Sequence, residues 1–419
     1  MKITIWPMYH PAASLHNPRL WADMLEDWEH PAVNVPHDFI VNNIEGRPIV
    51  LSGMPLVAID TETDHAGGIG QWSFAYRDGE GRLSVAPFYG PQEVAYGDCP
   101  VVMHNAKYDL RELRATCMGT PKVFHDTMIA AYCMGLGKQA PKDDGKTRSG
   151  SDMVGGLGLK YLARRHLGMQ MKKWEEVKDA PELVPEYNAN DSVATYLLFE
   201  KWLPVLPKHY FDIDMPLLPV LMKMEDRGVL IDENYLNEFA KELDAALAKF
   251  DLPINVHAPQ DIQSYIYGTL EIEPTVFTDT GAPSTAADTL EEVYEKTKDD
   301  LVQQILDYKR LYKDKGTYVD NYVKGRDDTG RIHPEFKQTS TTTSRLSCAR
   351  PNLQNVFKRD DRVKLRSLFV AAPGKSIVRM DYNQLDYRAL AAITGDPVLI
   401  AALNANKKIH QVTADELGI

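Results

Sequence analysis

The stretch that most constrains this chain is LVAIDTET, residues 56–63. Leu56 to Ile59 form an apolar run that is short and follows Pro55. Such a run reads as a buried strand. Asp60 and Glu62 come next, two apart, so on a strand they project to one face. Paired carboxylate oxygens there suit a hard divalent ion such as Mg²⁺ or Mn²⁺. The pattern Asp-x-Glu is common, and two solvated acids are the alternative reading.

Two later segments extend the set. HNAKYDL (104–110) places Asn105 and Asp109 four apart, on one face of a helix. YNANDSVATY (187–196) places Tyr187 and Asp191 at the same interval. Four carboxylates and a phenol could then converge from one strand and two helices. That set meets the needs of two-metal phosphodiester cleavage, in which ions about 4 Å apart activate a water and stabilise the leaving oxygen. Tyr187 would orient the water.

WSFAYRDG and GRLSVAPFYG (72–90) read as two strands joined at a glycine turn. Helices are expected over 106–118, 125–136, 159–167 and 186–203, and a mobile Gly- and Lys-rich loop over 135–156. Strands followed by helices imply an α/β domain with a mixed sheet. Beyond Leu206 the pattern is helical, over 215–227, 233–250, 259–269, 285–297 and 301–325. Residues 330–357 are polar and rich in Thr and Ser, and 365–370 return to strand character.

Near the end lies SIVRMDYNQLDYRALAAITGD, residues 376–396. Ile377 and Val378 predict a buried strand that gives way to a helix at Asp381. Gln384 and Arg388 are four apart, and Leu385, Leu390 and Ile393 predict a buried stripe. A carboxylate at such a junction can hold a metal beside a phosphate. A helix-capping Asp is the alternative.

With 419 residues, a prior of roughly 150 per domain suggests about three domains. The net charge of −12 does not advertise a polyanion partner, but residues 304–366 carry 15 Lys and Arg against 8 Asp and Glu. That segment can guide nucleic acid to one surface, or be a solvated helix face. No apolar run approaches the roughly 20 residues of a membrane span. Four scattered cysteines without a CxxC pair argue against a zinc site or disulfide framework and suit a reducing cytoplasm.

The three motifs around Asp60, Glu62, Asp109, Tyr187 and Asp191 resemble the DEDD exonuclease superfamily, tyrosine subtype. The four carboxylates Asp60, Glu62, Asp109 and Asp191 would be metal ligands, and Tyr187 would position water. Asp126, in FHDTMIAAY, would serve the fold, since family members carry an Asp in this segment without using it on the metals. TSTTTSRLSCARPNLQNV (339–356), RSLFVAAPGKSIVRMDYNQLDYRALA (366–391) and IHQVTADELGI (409–419) resemble family A DNA polymerases, with the helical 212–325 stretch resembling their thumb. This resemblance covers about residues 51–419. It implies a ribonuclease H-like α/β exonuclease domain (51–205), a mainly helical thumb and approach (206–365), and an incomplete α+β palm (366–419). Residues 1–50 form an N-terminal extension. Within it, 9–30 resemble the tail of a microbial uracil-DNA glycosylase, with His10 structural.

On the polymerase side, the resemblance implies that Asp381 and the carbonyl of Tyr382 bind metal, with two Mg²⁺ or Mn²⁺ ions per active site. Arg345, Asn352, Gln354, Asn355, Gln384 and Arg388 would meet DNA. Asp386 and His410 would meet the incoming nucleotide, near Lys407 and Lys408. Minor-groove acceptors shared by all base pairs let such groups test pairing shape without reading sequence.

Three departures from the family pattern stand out. Ser344 replaces a glycine and Cys348 a serine in TSRLSC. Asp386 stands where Glu is usual. The fingers helix and the segment bearing the second metal carboxylate are not in these 419 residues.

The expectation is therefore the N-terminal part of a phage-type polymerase with a proofreading exonuclease, working in the cytoplasm of a bacterium or an infected host. It would act on primer-template DNA, single-stranded 3′ ends and dNTPs, with a second chain completing the polymerase. A free-standing 3′→5′ exonuclease on DNA or RNA, or a non-catalytic DNA-binding scaffold, are the competing classes.

Overall fold

The computed structural model describes residues 39–42, 49–63, 68–136, 156–278, 281–356 and 365–417. The expected 9–30 helix with His10, and residues 137–155 of the expected loop, lie outside them. The chain divides into two units, one ending at Leu368 and one beginning at Phe369.

In the first unit, the strands up to residue 126 are β1 (Ile40–Val41), β2 (Ile49–Val50), β3 (Val57–Thr63), β4 (Ile69–Arg77), β5 (Leu83–Tyr89), β6 (Val94–Ala95), β7 (Pro100–Met103) and β8 (Val123–Asp126). Six of them form one mixed sheet in the order β1-β5-β4-β3-β7-β8, while β2 and β6 pair separately. The β3, β4 and β5 strands run antiparallel, and β3, β7 and β8 run parallel. Val57, Ala58 and Ile59 are all buried, so both faces of β3 are covered at its start. This accounts for a continuous apolar run rather than an alternating one.

Five helices follow from this sheet: α1 (Ala106–Ala115), α2 (Thr127–Cys133), α3 (Leu159–Leu167), α4 (Trp174–Val177) and α5 (Val184–Trp202). The expected 125–136 helix starts later, because residues 123–126 pair with β7, Met103 opposite Asp126. Asp126 ends that strand and accepts hydrogen bonds from the Met128 and Ile129 amides at the start of α2. It also accepts from the Asn105 and Ala106 amides, at 3.2 and 2.7 Å. One buried carboxylate thus satisfies the open amide ends of two helices. The α5 helix packs on β4 and β3, and is polar where it crosses the sheet: Ser192 and Ser73 hydroxyls lie 2.6 Å apart.

The remainder of this unit is helical. It comprises α6 (Met215–Arg227), α7 (Glu233–Leu247), α8 (Pro259–Gln263), α9 (Ala287–Thr297), α10 (Asp300–Asp314) and α11 (Asn321–Gly325). Asp232 and Asp299 cap α7 and α10 through the Tyr235 and Val302 amides. The expected 301–325 helix is two helices joined by a π turn at Lys315–Asp320, which contains Gly316. Two short ladders close this part: β9 (Val229–Leu230) with β10 (Arg331–Ile332), and β11 (Glu335–Lys337) with β12 (Ser347–Ala349). The strand expected at 365–370 is instead a 3₁₀ turn, Leu365–Leu368. Leu365 and Leu368 are buried, and the Leu368 carbonyl accepts from the Asp232 amide, so burial is met without a ladder.

Glu225 of α6 ties the sheet domain to this helical part. Its buried carboxylate accepts from Lys107 Nζ at 2.6 Å, Arg111 Nη2 at 2.5 Å and the Phe336 amide at 2.6 Å.

The second unit holds α12 (Leu385–Thr394), α13 (Pro397–Asn404) and α14 (Ile409–Leu417). Its small core is Ala391, Leu403 and Ile409. Two expectations are corrected here. Residues 376–380 form no strand, and Val378 is 74% exposed. Leu385, Leu390 and Ile393 are exposed rather than buried. A strand requires a neighbour for its amides and carbonyls, and among the described residues none pairs with this segment. No described helix is long and apolar enough to cross a membrane.

Candidate active site

The register of β3 creates the site. Its parallel neighbour β7 pairs only with Val57 and Ala58, so the rest of β3 runs on alone along that edge. Opposite, Asp60 and Glu62 pair with Ser73 and Gln71 of β4, and a bulge follows between Glu62 and Thr63. The freed edge is taken by α1. The Thr61 amide and hydroxyl both donate to Asp109 Oδ1, at 3.1 and 2.8 Å.

From the other side, α5 brings Tyr187, Asn188 and Asp191. Ligand oxygens of Asp60, Glu62 and Asp191 all lie within 4.8 Å of one another. Asp109 stands beside them with one oxygen committed to Thr61. The Tyr187 hydroxyl hydrogen-bonds Asp191, and its ring meets Trp174 edge-on at 5.8 Å between centroids.

Electrostatics match this crowding. Burial, then Asp191, Asp109 and Glu62, raise the Asp60 carboxyl well above the usual range. Burial followed by Asp191 pushes Glu62 up to about 7. Burial also pushes Asp109 up to about 8, against the Thr61 hydrogen bonds, and Asp191 up to about 6, against Lys160. Burial and these carboxylates together keep the Tyr187 phenol protonated far above neutrality. Clustered oxygen donors that cannot all ionise cheaply fit divalent cations.

Two residues here escaped the sequence reading. Asn188 Nδ2 donates to Asp60 Oδ2 at 2.7 Å and to the Asp60 carbonyl at 3.3 Å. It lies three residues before Asp191 on the same helix face, a spacing that could have marked it. Lys160 of α3 reaches Asp191 Oδ1, and its Nζ lies 4.0 Å from the Tyr187 ring centroid. Nothing in its local sequence pointed there.

Asn105 begins α1 in the left-handed region at φ 67 and ψ 52. It borders a 680 Å³ cleft that also touches Lys107, Arg111, Phe336 and Arg350.

On the polymerase side the residues are less assembled. Arg345, Gln354 and Asn355 are exposed. The Asn352 side chain accepts from the Gln354 amide at 3.0 Å, and the Asn355 carbonyl accepts from Tyr318 at 3.0 Å. Ser344 adopts φ 59, the glycine-like angle implied by the residue it replaces. Cys348 is buried opposite Phe336.

In the second unit Asp381, Tyr382, Asp386 and Arg388 are exposed. Asp381 joins no group of three converging metal-type donors among the described residues. Gln384 is engaged by the chain itself, donating to the Lys407 carbonyl at 2.9 Å and accepting from the Ile409 amide at 2.8 Å. Arg388 Nε donates to the Asn383 carbonyl at 2.9 Å, and His410 Nδ1 lies 3.3 Å from the Tyr387 hydroxyl.

Comparison with known proteins agrees with this division. Residues 96–207 match the 3'-5' exonuclease family, a span that begins after Asp60 and Glu62. Residues 232–418 match DNA polymerase family A. DNA polymerase I of Chloroflexus aurantiacus is 31% identical over 368 residues, covering 81% of this chain and 37% of that protein. DNA polymerase I of Caldicellulosiruptor bescii is 34% identical over 341 residues, covering 78% and 37%.

The chain therefore spans little more than a third of these bacterial relatives. A solved structure described as the POL domain of Pol1 from M. smegmatis in complex with DNA primer-template and dNTP shares the fold. Its TM-score is 0.59 at 24% identity, over 84% of this chain and 62% of that one. By these matches, residues 96–207 are similar to the 3'-5' exonuclease family and residues 232–418 to DNA polymerase family A.

Proposed function

We propose that this chain removes nucleotides from the 3′ end of DNA at Asp60, Glu62, Asp109, Tyr187 and Asp191, as the proofreading part of a DNA-directed DNA polymerase. The observation that carries this is the meeting of Asp60, Glu62 and Asp191 oxygens within 4.8 Å beside the Tyr187 phenol. Asp60, Glu62, Asp109 and Asp191 would hold two Mg²⁺ or Mn²⁺ ions, which at such sites supply Lewis acidity and lower the pKa of water. Asn188 fixes the Asp60 carboxylate and Thr61 fixes Asp109. Tyr187, kept protonated, can position a water for attack on the terminal phosphorus. The P–O3′ bond then breaks, the leaving oxygen takes a proton, and a mononucleotide and a new 3′ hydroxyl result.

Residues 51–205 are assigned to this activity, 206–365 to a thumb and its approach, and 366–419 to part of a palm. DNA and dNTP are taken as partners because they accompany the M. smegmatis neighbour. Arg345, Asn352, Gln354, Asn355, Gln384 and Arg388 are assigned to DNA, and Asp386 and His410 to the nucleotide. Asp381 and the Tyr382 carbonyl are assigned to the polymerase metals. Exposed Ile377, Val378, Met380 and Leu385 support a further reading, in which synthesis needs residues beyond these 419, on the same or a second polypeptide.

The deciding experiment is shortening, from its 3′ end, of a 5′-labelled single strand by the chain with Mg²⁺ or Mn²⁺. Loss in Asp60→Ala is expected; shortening that survives this change rejects the assigned site. Parallel RNA and DNA strands distinguish the substrate. The finer expectation, a phage-type enzyme divided over two chains, is tested by primer extension. Synthesis is expected only after adding a chain with the second metal carboxylate, and unaided synthesis rejects it.

A further inference from the structure

Lys160 lies in none of the motifs that mark the site, yet its ammonium is among the carboxylates. Its side chain is 25% exposed and contacts Asp191 Oδ1. Its Nζ sits over the Tyr187 ring at 4.0 Å, where the π face favours a cation. One side chain therefore restrains two of the residues that α5 contributes, Asp191 and Tyr187.

We propose that Lys160 is a resident counter-cation of this site. It holds Asp191 and Tyr187 in place before divalent ions arrive, and it must leave Asp191 for them to bind. The inference rests on the reading of Asp60, Glu62 and Asp191 as metal ligands. An ammonium and a divalent ion compete for the same carboxylate oxygen and repel each other at contact distance. The flexible four-carbon stem of lysine lets the head group withdraw. Lys160 is thus a positioning residue that lowers divalent-ion affinity and couples metal loading to its own movement.

The test is Mn²⁺ binding to the full chain without nucleic acid, read from the EPR signal of free Mn²⁺. Lys160→Met and Lys160→Gln should each tighten Mn²⁺ by about tenfold or more, since a unit charge a few ångströms away is worth at least that in a partly buried site. Lys160→Arg, which keeps the charge, should stay near the parent value. Asp60→Ala should lose the binding, which identifies the site being read. Unchanged or weaker Mn²⁺ binding in folded Lys160→Met and Lys160→Gln overturns the proposal. Strand shortening is measured separately. A chain that shows the Lys160 effect but shortens no strand leaves this inference standing and rejects the exonuclease reading.

Discussion

Asp60 follows the apolar run VAI and Asp381 the segment IVRM, apolar except for Arg379, and the two end in different places. Before Asp60, the run is laddered on both sides by β4 and β7, and Ile59 is fully buried. Asp60 is then fixed by Asn188 and meets two other carboxylates. Before Asp381, the run has no ladder partner among the described residues, and Met380 is 88% exposed. The same local pattern gives a charged cluster in one region and an isolated acid in the other. Long-range strand pairing makes the difference: it buries the carboxylates together and raises their pKa values.

The largest test of this contrast is pH. A carboxyl raised in the folded state keeps a proton that the unfolded chain has lost. Its contribution is complete below the unfolded value and disappears as pH rises through the folded one. For Glu62 that window runs from 4.5 to about 7. With metal chelated, the chain should lose about 3 kcal/mol of stability across it through Glu62 alone. Denaturant melts at pH 4.5 and 7.5 measure this. Glu62→Gln should reduce the dependence. Equal slopes in the parent and Glu62→Gln would remove the electrostatic half of the comparison.

Next comes Asn188. Outer groups that orient metal ligands are worth about 10- to 100-fold in metal affinity. Asn188→Ala should weaken Mn²⁺ binding within that range, with the fold retained by circular dichroism. An unchanged affinity would mean that Asp60 is held by the strand alone.

A smaller effect is expected at Ser344, whose φ of 59 is strained for a residue with a Cβ. Ser344→Gly should raise stability by about 1 kcal/mol, visible as a higher denaturation midpoint. A fall would place a side-chain role at Ser344 above the backbone cost. The smallest effect belongs to Asp381→Ala. An exposed acid outside any cluster of three metal-type donors among the described residues should change stability by less than about 0.5 kcal/mol. A larger loss would show that Asp381 is tied into the second unit after all.

Much of the exonuclease-like site was legible because its parts follow local periods. Asp60 and Glu62 obey the two-residue strand repeat, and Tyr187 and Asp191 the helical one. Asp126 was readable as a fold residue and does cap two helices. Asn188 was within reach of the same helical spacing. Lys160 was not, because it comes from a helix 31 residues before Asp191 and its side chain crosses space rather than sequence. The strands expected at 365–370 and 376–380 failed for a related reason: strand propensity specifies an extended segment, not its neighbour.

By itself the sequence determined which residue types can do this chemistry and which of them share a face, since those follow from repeats of two and about 3.6 residues. It also determined the order of sheet and helical parts. Tertiary structure alone decided that β7 stops short of Asp60, that α1 fills the vacated edge through Asp109 and Thr61, and that Lys160 from α3 reaches Asp191 in the carboxylate cluster. These outcomes depend on how far one strand runs past another and on which helix crosses the gap, and neither is encoded within a single repeat.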